Sequence, residues 1–203
     1  MRDLTQTVLR LRRVTRALKE ETGLRRIAQK NGLADGLHTA IVMNMLQRCE
    51  RHLKQHGIRY VHSIHSAART ARAVASAEPM RAHAFAKVVI YLGAHGNGML
   101  VLPADYIVDF GEVRRLLGLR EVRLASEAEL SALFPDCELG AMPPFGNLLD
   151  MPVLIDESLA GAEFMAFNAG THRDVIHMSV ADFHILVNPL VAGFAVKKPV
   201  AIS

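Results

Sequence analysis

Seven residues, Gly140-Ala-Met-Pro-Pro-Phe-Gly146, and one lysine, Lys87, are the parts of this chain best suited to chemistry. Pro143 and Pro144 lack N–H groups and stiffen the backbone. Gly140 and Gly146 permit backbone shapes and close approaches that other residues forbid. Such a loop exposes N–H groups that could face a developing oxyanion, the usual stabiliser of acyl transfer. Lys87 interrupts the apolar run Phe85–Leu92. On a strand Phe85, Lys87, Val89 and Tyr91 share one face, and Ala86, Val88, Ile90 and Leu92 share the other. A cation there is costly unless it is partnered, and it suits an anionic ligand such as phosphate. The alternatives are a lysine that guards a strand edge or snorkels to solvent, and an ordinary surface loop at Gly140.

The elements that must position these residues follow from the pattern. Leu4, Val8, Leu11, Thr15 and Leu18 form one helical stripe, and Leu37, Ile41, Met45, Cys49 and Leu53 form a second that Gly57 ends. Short strands are expected at Ile58–His62, Phe85–Leu92, Met99–Leu102, Val122–Leu124, Val153–Ile155, Glu163–Asn168 and Val175–Met178. Ser66–Ala77 reads as a helix. Asp109-Phe-Gly-Glu112 and Ser126-Glu-Ala-Glu129 match the capping box, and Ser179 caps a last helix to about Leu186. Strands and helices alternate without a regular βαβ repeat. The expected fold is therefore α+β, with a mixed, partly barrel-like sheet and surrounding helices. Residues 1–45 form a basic helical extension, and 46–203 form the body.

Composition narrows the class. The chain has 203 residues, half of them hydrophobic, enough for a substantial core. No apolar run reaches the ~18 residues of a membrane span, and the N-terminus lacks the apolar core of a signal peptide. A cytoplasmic protein without a membrane partner is expected. Cys49 and Cys137 make no disulfide framework. Residues 1–75 hold 15 Lys and Arg against 5 Asp and Glu, whereas 76–203 hold 9 against 15. A basic end on an acidic body suits an anionic partner, nucleic acid foremost; a pair of solvated basic helices is the alternative. The apolar stripes of those helices could pack on the body or form a dimer.

Other constellations are weaker. His52-x-x-x-His56 and His62-x-x-His65 lack the acidic or cysteine partners of a metal site. Cys137 has no evident group to stabilise a thiolate. His62, Ser63, His65 and Ser66 are neighbours in sequence, which rarely make a triad. Gly93-x-x-Gly96-x-Gly98 reads better as a hairpin turn than as a phosphate loop.

Six segments in order, His65-Ser-Ala-Ala-Arg-Thr70, Lys87-Val-Val89, Val101-Leu-Pro-Ala-Asp105, Val122-Arg-Leu-Ala-Ser126, Gly140 to Gly146, and Val153-Leu-Ile-Asp156, closely resemble the YbaK/prolyl-tRNA synthetase editing-domain family of aminoacyl-tRNA deacylases. The likeness spans roughly Leu46 to Ala195. It implies a trans-editing hydrolase without metal or other cofactor, acting on the ester of a mischarged tRNA, most often tRNA for proline carrying Ala, Cys or a similar small amino acid. Its partners would be the aminoacylated 3′ end of tRNA and an aminoacyl-tRNA synthetase. The family lysine falls on Lys87, which would bind the terminal phosphate and orient the ester. The Gly-x-x-x-Pro motif falls on Gly140 and Pro144, and the backbone at Gly140 would hold the oxyanion. A bound water would attack, assisted by a ribose hydroxyl. His65 and Thr70 would open a pocket-lining helix. Pro144, Phe145, Asn168, Gly170 and His172 would shape the substrate pocket. Arg69, Arg72, Arg12 and Arg13 would contact the tRNA. A tRNA-binding module without turnover and a regulatory ligand-binding domain are the competing readings.

Overall fold

The computed structural model describes residues 43–65, 84–94 and 96–198. The first apolar stripe, the expected helix at 66–77, and Arg12, Arg13, Arg69, Thr70 and Arg72 lie outside them.

Helix α1 (Met45–Gln55) buries Met45, Cys49 and Leu53, the second half of the predicted stripe. It starts at Asn44, whose side chain and that of Gln47 form a reciprocal capping box. Asparagine and glutamine serve here as well as serine and glutamate do elsewhere. Strand β1 (Tyr60–Ile64) follows. Strands β2 (Ala86–Gly93) and β3 (Gly96–Pro103) form an antiparallel hairpin with Gly93 opposite Gly96, a tighter turn than expected. Gly98 lies across from Tyr91, and a Cβ on it would meet the tyrosine ring at 2.6 Å. These glycines thus serve the hairpin.

Strand β4 (Tyr106–Val108) leads into α2 (Phe110–Leu117). Only half of its predicted capping box forms: Asp109 accepts from the Glu112 N–H, while the Glu112 carboxylate pairs with Arg115. Strand β5 (Val122–Leu124) precedes α3 (Glu127–Leu133), whose box at Ser126 and Glu129 is complete. After the long loop come β6 (Val153–Asp156), the single turn α4 (Glu157–Ala160), β7 (Phe164–Asn168), β8 (Asp174–Ser179), α5 (Val180–Val187) capped by Ser179, β9 (Leu190–Ala192) and β10 (Ala195–Lys197).

The strands form three hydrogen-bonded sheets, ordered β5-β2-β3-β6-β9, β1-β8-β7 and β10-β4. In the largest, β6 runs parallel to β3 and to β9, and the other pairs are antiparallel. The fold is thus α+β with mixed sheets. A bridge between Phe85 and Ala166 links the two larger sheets. No closed barrel forms among the described residues, and the expected barrel-like character is limited to that junction. Ala86, Val88 and Ile90 face the main core, which also takes in α1 and Phe145. Tyr91 faces a second core with Val113 and Leu116 of α2 and Phe194. Asp156 clasps the C-terminal segment, accepting from the N–H groups of Phe194 and Ala195, each at 2.8 Å, and of Ser158.

Candidate functional site

Lys87 lies on β2 opposite Leu102, with β3 on one side and the shorter β5 further along the other. Alternation puts its side chain on the Phe85 and Val89 side of the strand. It is half-buried, and its Nζ donates to the carbonyls of Ala104, in the turn after β3, and of Tyr106, the first residue of β4. The partners that a cation in an apolar run requires are therefore backbone oxygens. Burial lowers the Lys87 pKa, nearby Lys198 lowers it further, and Asp105 opposes the shift.

The Gly140 loop has two halves. Its first half forms a short ladder: Glu138 N–H donates to Gly170 O at 2.8 Å, and Gly170 N–H donates to Ala141 O at 2.9 Å. His172 completes the clamp, its N–H on the Glu138 carboxylate at 2.7 Å and its Nε2 2.9 Å from Leu139 O. Gly140 is exposed and left-handed, at φ 85°. Among the described residues no carbonyl accepts the N–H of Gly140 or of Met142.

The second half turns inward. Residues 141–146 are buried, so the loop exposes its backbone only around Leu139 and Gly140. Pro144 is buried, and Phe145 is fully so, its ring T-stacked on Phe167 at 5.2 Å and on His52 at 5.9 Å. A Cβ on Gly146 would lie 2.4 Å from Met151 O. Gly170, at φ 97°, has no room either, since a Cβ would meet Met45 at 2.7 Å.

The sheet registers relate the remaining residues. Ser63 is opposite Val175 on β8, and Val175 is opposite Asn168 on β7. Phe85 bridges Ala166 in parallel, which brings the start of β2 beside β7. Ser63, Val175 and Asn168 thus fall along one row across β1, β8 and β7, on strands ~4.8 Å apart. Phe85, Ala166 and Val175 make the apolar cluster beside it, with Ala104 packed against them. Beyond Asn168 the chain turns through Gly170 and His172, which hold Gly140.

His65 stands at the end of β1, its N–H on Arg173 O at 2.8 Å. Its Nε2 is 3.0 Å from Ser63 Oγ, which is also 2.9 Å from His177 Nε2. When the Ser63 proton lies in this chain, one imidazole accepts it and the other donates. Ser63 and His65, neighbours in sequence, are thus joined by a hydrogen bond. His177 escapes a reading by spacing, because it is 114 positions from Ser63 and meets it only through the β1–β8 register.

The other candidates have ordinary partners. His62 pairs with Asp174 at 2.9 Å, and His52 and His56 stack edge to face at 4.5 Å. Among the described residues no three His, Cys, Asp or Glu gather as a metal site. Burial pushes the Cys137 thiol up to about 11 and the Cys49 thiol to about 12, so neither is a thiolate at neutral pH. No helix among the described residues is long and apolar enough to cross a membrane.

Comparison with known proteins bears on the fold and the family. A solved structure described as a candidate trans-editing enzyme for prolyl tRNA synthetase is 23% identical, with a TM-score of 0.66 over 78% of this chain and 99% of that one. The hypothetical protein APE2540 is 21% identical, with a TM-score of 0.66 over 73% and 99%. A candidate signal transduction protein from Marinobacter aquaeolei VT8 is 17% identical, with a TM-score of 0.59 over 73% of this chain and 30% of that one. At these identities the likeness is one of fold. No curated protein matches the chain. The family model described as the aminoacyl-tRNA editing domain matches residues 65–185. That stretch runs from His65 through Lys87, Gly140 and His172 to the last turn of α5, and this chain belongs to the aminoacyl-tRNA editing domain family.

Proposed function

We propose that the protein is a deacylase that acts in trans on mischarged tRNA, with tRNA for proline bearing Ala, Cys or a similar small amino acid as the preferred substrate. Membership of the editing-domain family supports hydrolysis of an aminoacyl ester. The observation that carries the reading to residues is the held, exposed left-handed turn at Gly140, whose N–H has no carbonyl partner among the described residues.

In this reading the substrate carbonyl oxygen lies against the Gly140 turn. Water attacks the carbonyl carbon, and the oxyanion is stabilised by N–H donors that are already oriented. Collapse breaks the C–O ester bond and frees the amino acid, and the ribose oxygen leaves with a proton. A neighbouring ribose hydroxyl assists the water, and no protein nucleophile or metal is required. Lys87 binds the terminal nucleotide's phosphate and fixes the ester, so that positioning supplies much of the rate. Asn168, Gly170, His172 and His65 shape the amino-acid pocket, with Thr70 beside them. Pro144 and Phe145 act as positioning residues, seating the loop in the core. Arg12, Arg13, Arg69 and Arg72 contact the tRNA, residues 1–45 serve as a basic extension of the 46–203 editing domain, and an aminoacyl-tRNA synthetase is the functional partner in the cytoplasm.

The test is deacylation of tRNAs charged with Ala, Cys, Ser, Thr and Pro by the native protein and by Lys87→Ala. Cleavage of one ester, lost in the variant, supports the reading. If tRNA is bound and no ester is cleaved, the protein is a binding module and the deacylase reading fails.

A further inference from the structure

The acidic body carries one basic concentration. Of the nine Lys and Arg in residues 76–203, four fall within residues 114–123, where Glu121 is the one acid. The fold builds them around a groove of about 620 Å³ at the turn end of the β2–β3 hairpin, with Gly93 on one wall, Phe110 at the start of α2 on another, and Arg114, Arg120, Glu121 and Arg123 around it. The groove opens to solvent, and Arg114 and Arg120 are both exposed.

Local acids are already engaged. Glu129 holds Arg123 through two hydrogen bonds of 2.8 and 2.7 Å, and Glu112 holds Arg115 outside the groove. Among the described residues, Arg114 and Arg120 are in no ion pair. Two guanidinium forks therefore remain for an outside partner, against the single carboxylate of Glu121. Guanidinium pairs bind phosphate bidentately. An open groove with spread arginines fits a polymer backbone better than a small metabolite, which needs enclosure.

The groove is also set at a defined reach. Gly93 is six residues along β2 from Lys87, about 20 Å at strand rise. We propose that this groove grips the phosphate backbone of the RNA substrate away from its reacting 3′ end, with Arg114 and Arg120 as the contacts. The RNA identity rests on the deacylase reading above; the phosphate chemistry does not. A short 3′ fragment bound at Lys87 would not reach the groove, whereas a whole tRNA would.

The experiment compares native protein, Arg114→Glu/Arg120→Glu and the control Arg115→Glu on whole aminoacyl-tRNA and on an aminoacylated CCA trinucleotide, each across a salt series. The expected result for the double variant is a KM at least ~10-fold higher for whole tRNA and a salt slope shallower by about 1.5, as for two lost phosphate contacts. Its kinetics on the trinucleotide stay native, and Arg115→Glu changes either substrate less than twofold. Unchanged KM and slope on whole tRNA overturn the proposal, as does an equal effect from Arg115→Glu. Competition by adenosine monophosphate or inorganic phosphate, lost in the double variant to the same degree as tRNA, would make the groove a mononucleotide or free-phosphate site and also overturn it. If the native protein cleaves no ester, the deacylase reading fails separately. The groove is then judged by affinity for uncharged tRNA, which must fall in the double variant for the proposal to stand. Thermal denaturation confirms that each variant is folded.

Discussion

The Nε2 of His172 lies 2.9 Å from the carbonyl oxygen of Leu139, the residue before Gly140. A carbonyl only accepts, so this nitrogen carries the proton, and the imidazole is fixed in one tautomer across the mouth of the loop. Replacing His172 with alanine removes the tie while leaving the buried half of the loop in place. Deacylation should fall by about 5-fold, in line with one hydrogen bond of ~1 kcal/mol. Because His172 is exposed, the melting temperature should move little. A large loss of stability with native activity would contradict this assignment.

The charge on Lys87 sets an alkaline limit. Burial and the proximity of Lys198 lower its pKa from the ordinary lysine value. The protonated form predominates below that lowered value, so a rate that needs the cation declines as pH rises through it. Lys198→Ala removes one depressing charge, and the alkaline limb of kcat/KM should move upward. Lys87→Ala should reduce the rate by ~100-fold or more, as loss of a charged group at a reacting centre does. A limb that ignores Lys198 would assign it to another group.

Two glycines test the packing of the loop. Alanine at Gly146 must displace the Met151 carbonyl from 2.4 Å, and alanine at Gly170 meets Met45 in a left-handed backbone. Each should cost about 2–4 kcal/mol in urea denaturation, as overpacking with strain does. Gly161 has open space around it and φ −87°, so Gly161→Ala should be neutral or stabilising by up to ~1 kcal/mol.

Phe145→Ala should remove about 3–5 kcal/mol, the range for a buried aromatic, and take activity with it. Phe145→Leu keeps most of the volume. It should recover most of the stability, and its activity reports whether the loop needs the ring itself.

What the sequence made legible was what local hydrogen bonds decide. The Ser126–Glu129 box, the Ser179 cap and the Met45–Cys49–Leu53 stripe are each complete within about ten residues, so type and spacing suffice. Glycine and proline equally marked the 135–147 loop. The failures are long-range. The local pattern does not mark strands β4, β9 and β10, which exist because distant partners bind them. The inward turn of Phe145 is decided by Phe167 and His52. Ser63 and His177 meet through strand register alone. Lys87 was readable as a charge in an apolar strand, whereas its carbonyl partners depend on how the chain turns after Pro103.

The clasp of Asp156 on Phe194 and Ala195 bears on how the chain is made. Phe194 is part of the core beneath the Lys87 side of β2, and Ala195 begins the strand that pairs with β4. A chain emerging from the ribosome can form the β2–β3 hairpin early, yet the layer that steadies Tyr106 under Lys87 waits for residues 194–197. The Lys87 side of β2 is therefore covered only once that segment has been made. Chains that stop short of Phe194 would leave the Asp156 carboxylate without the two N–H groups it holds.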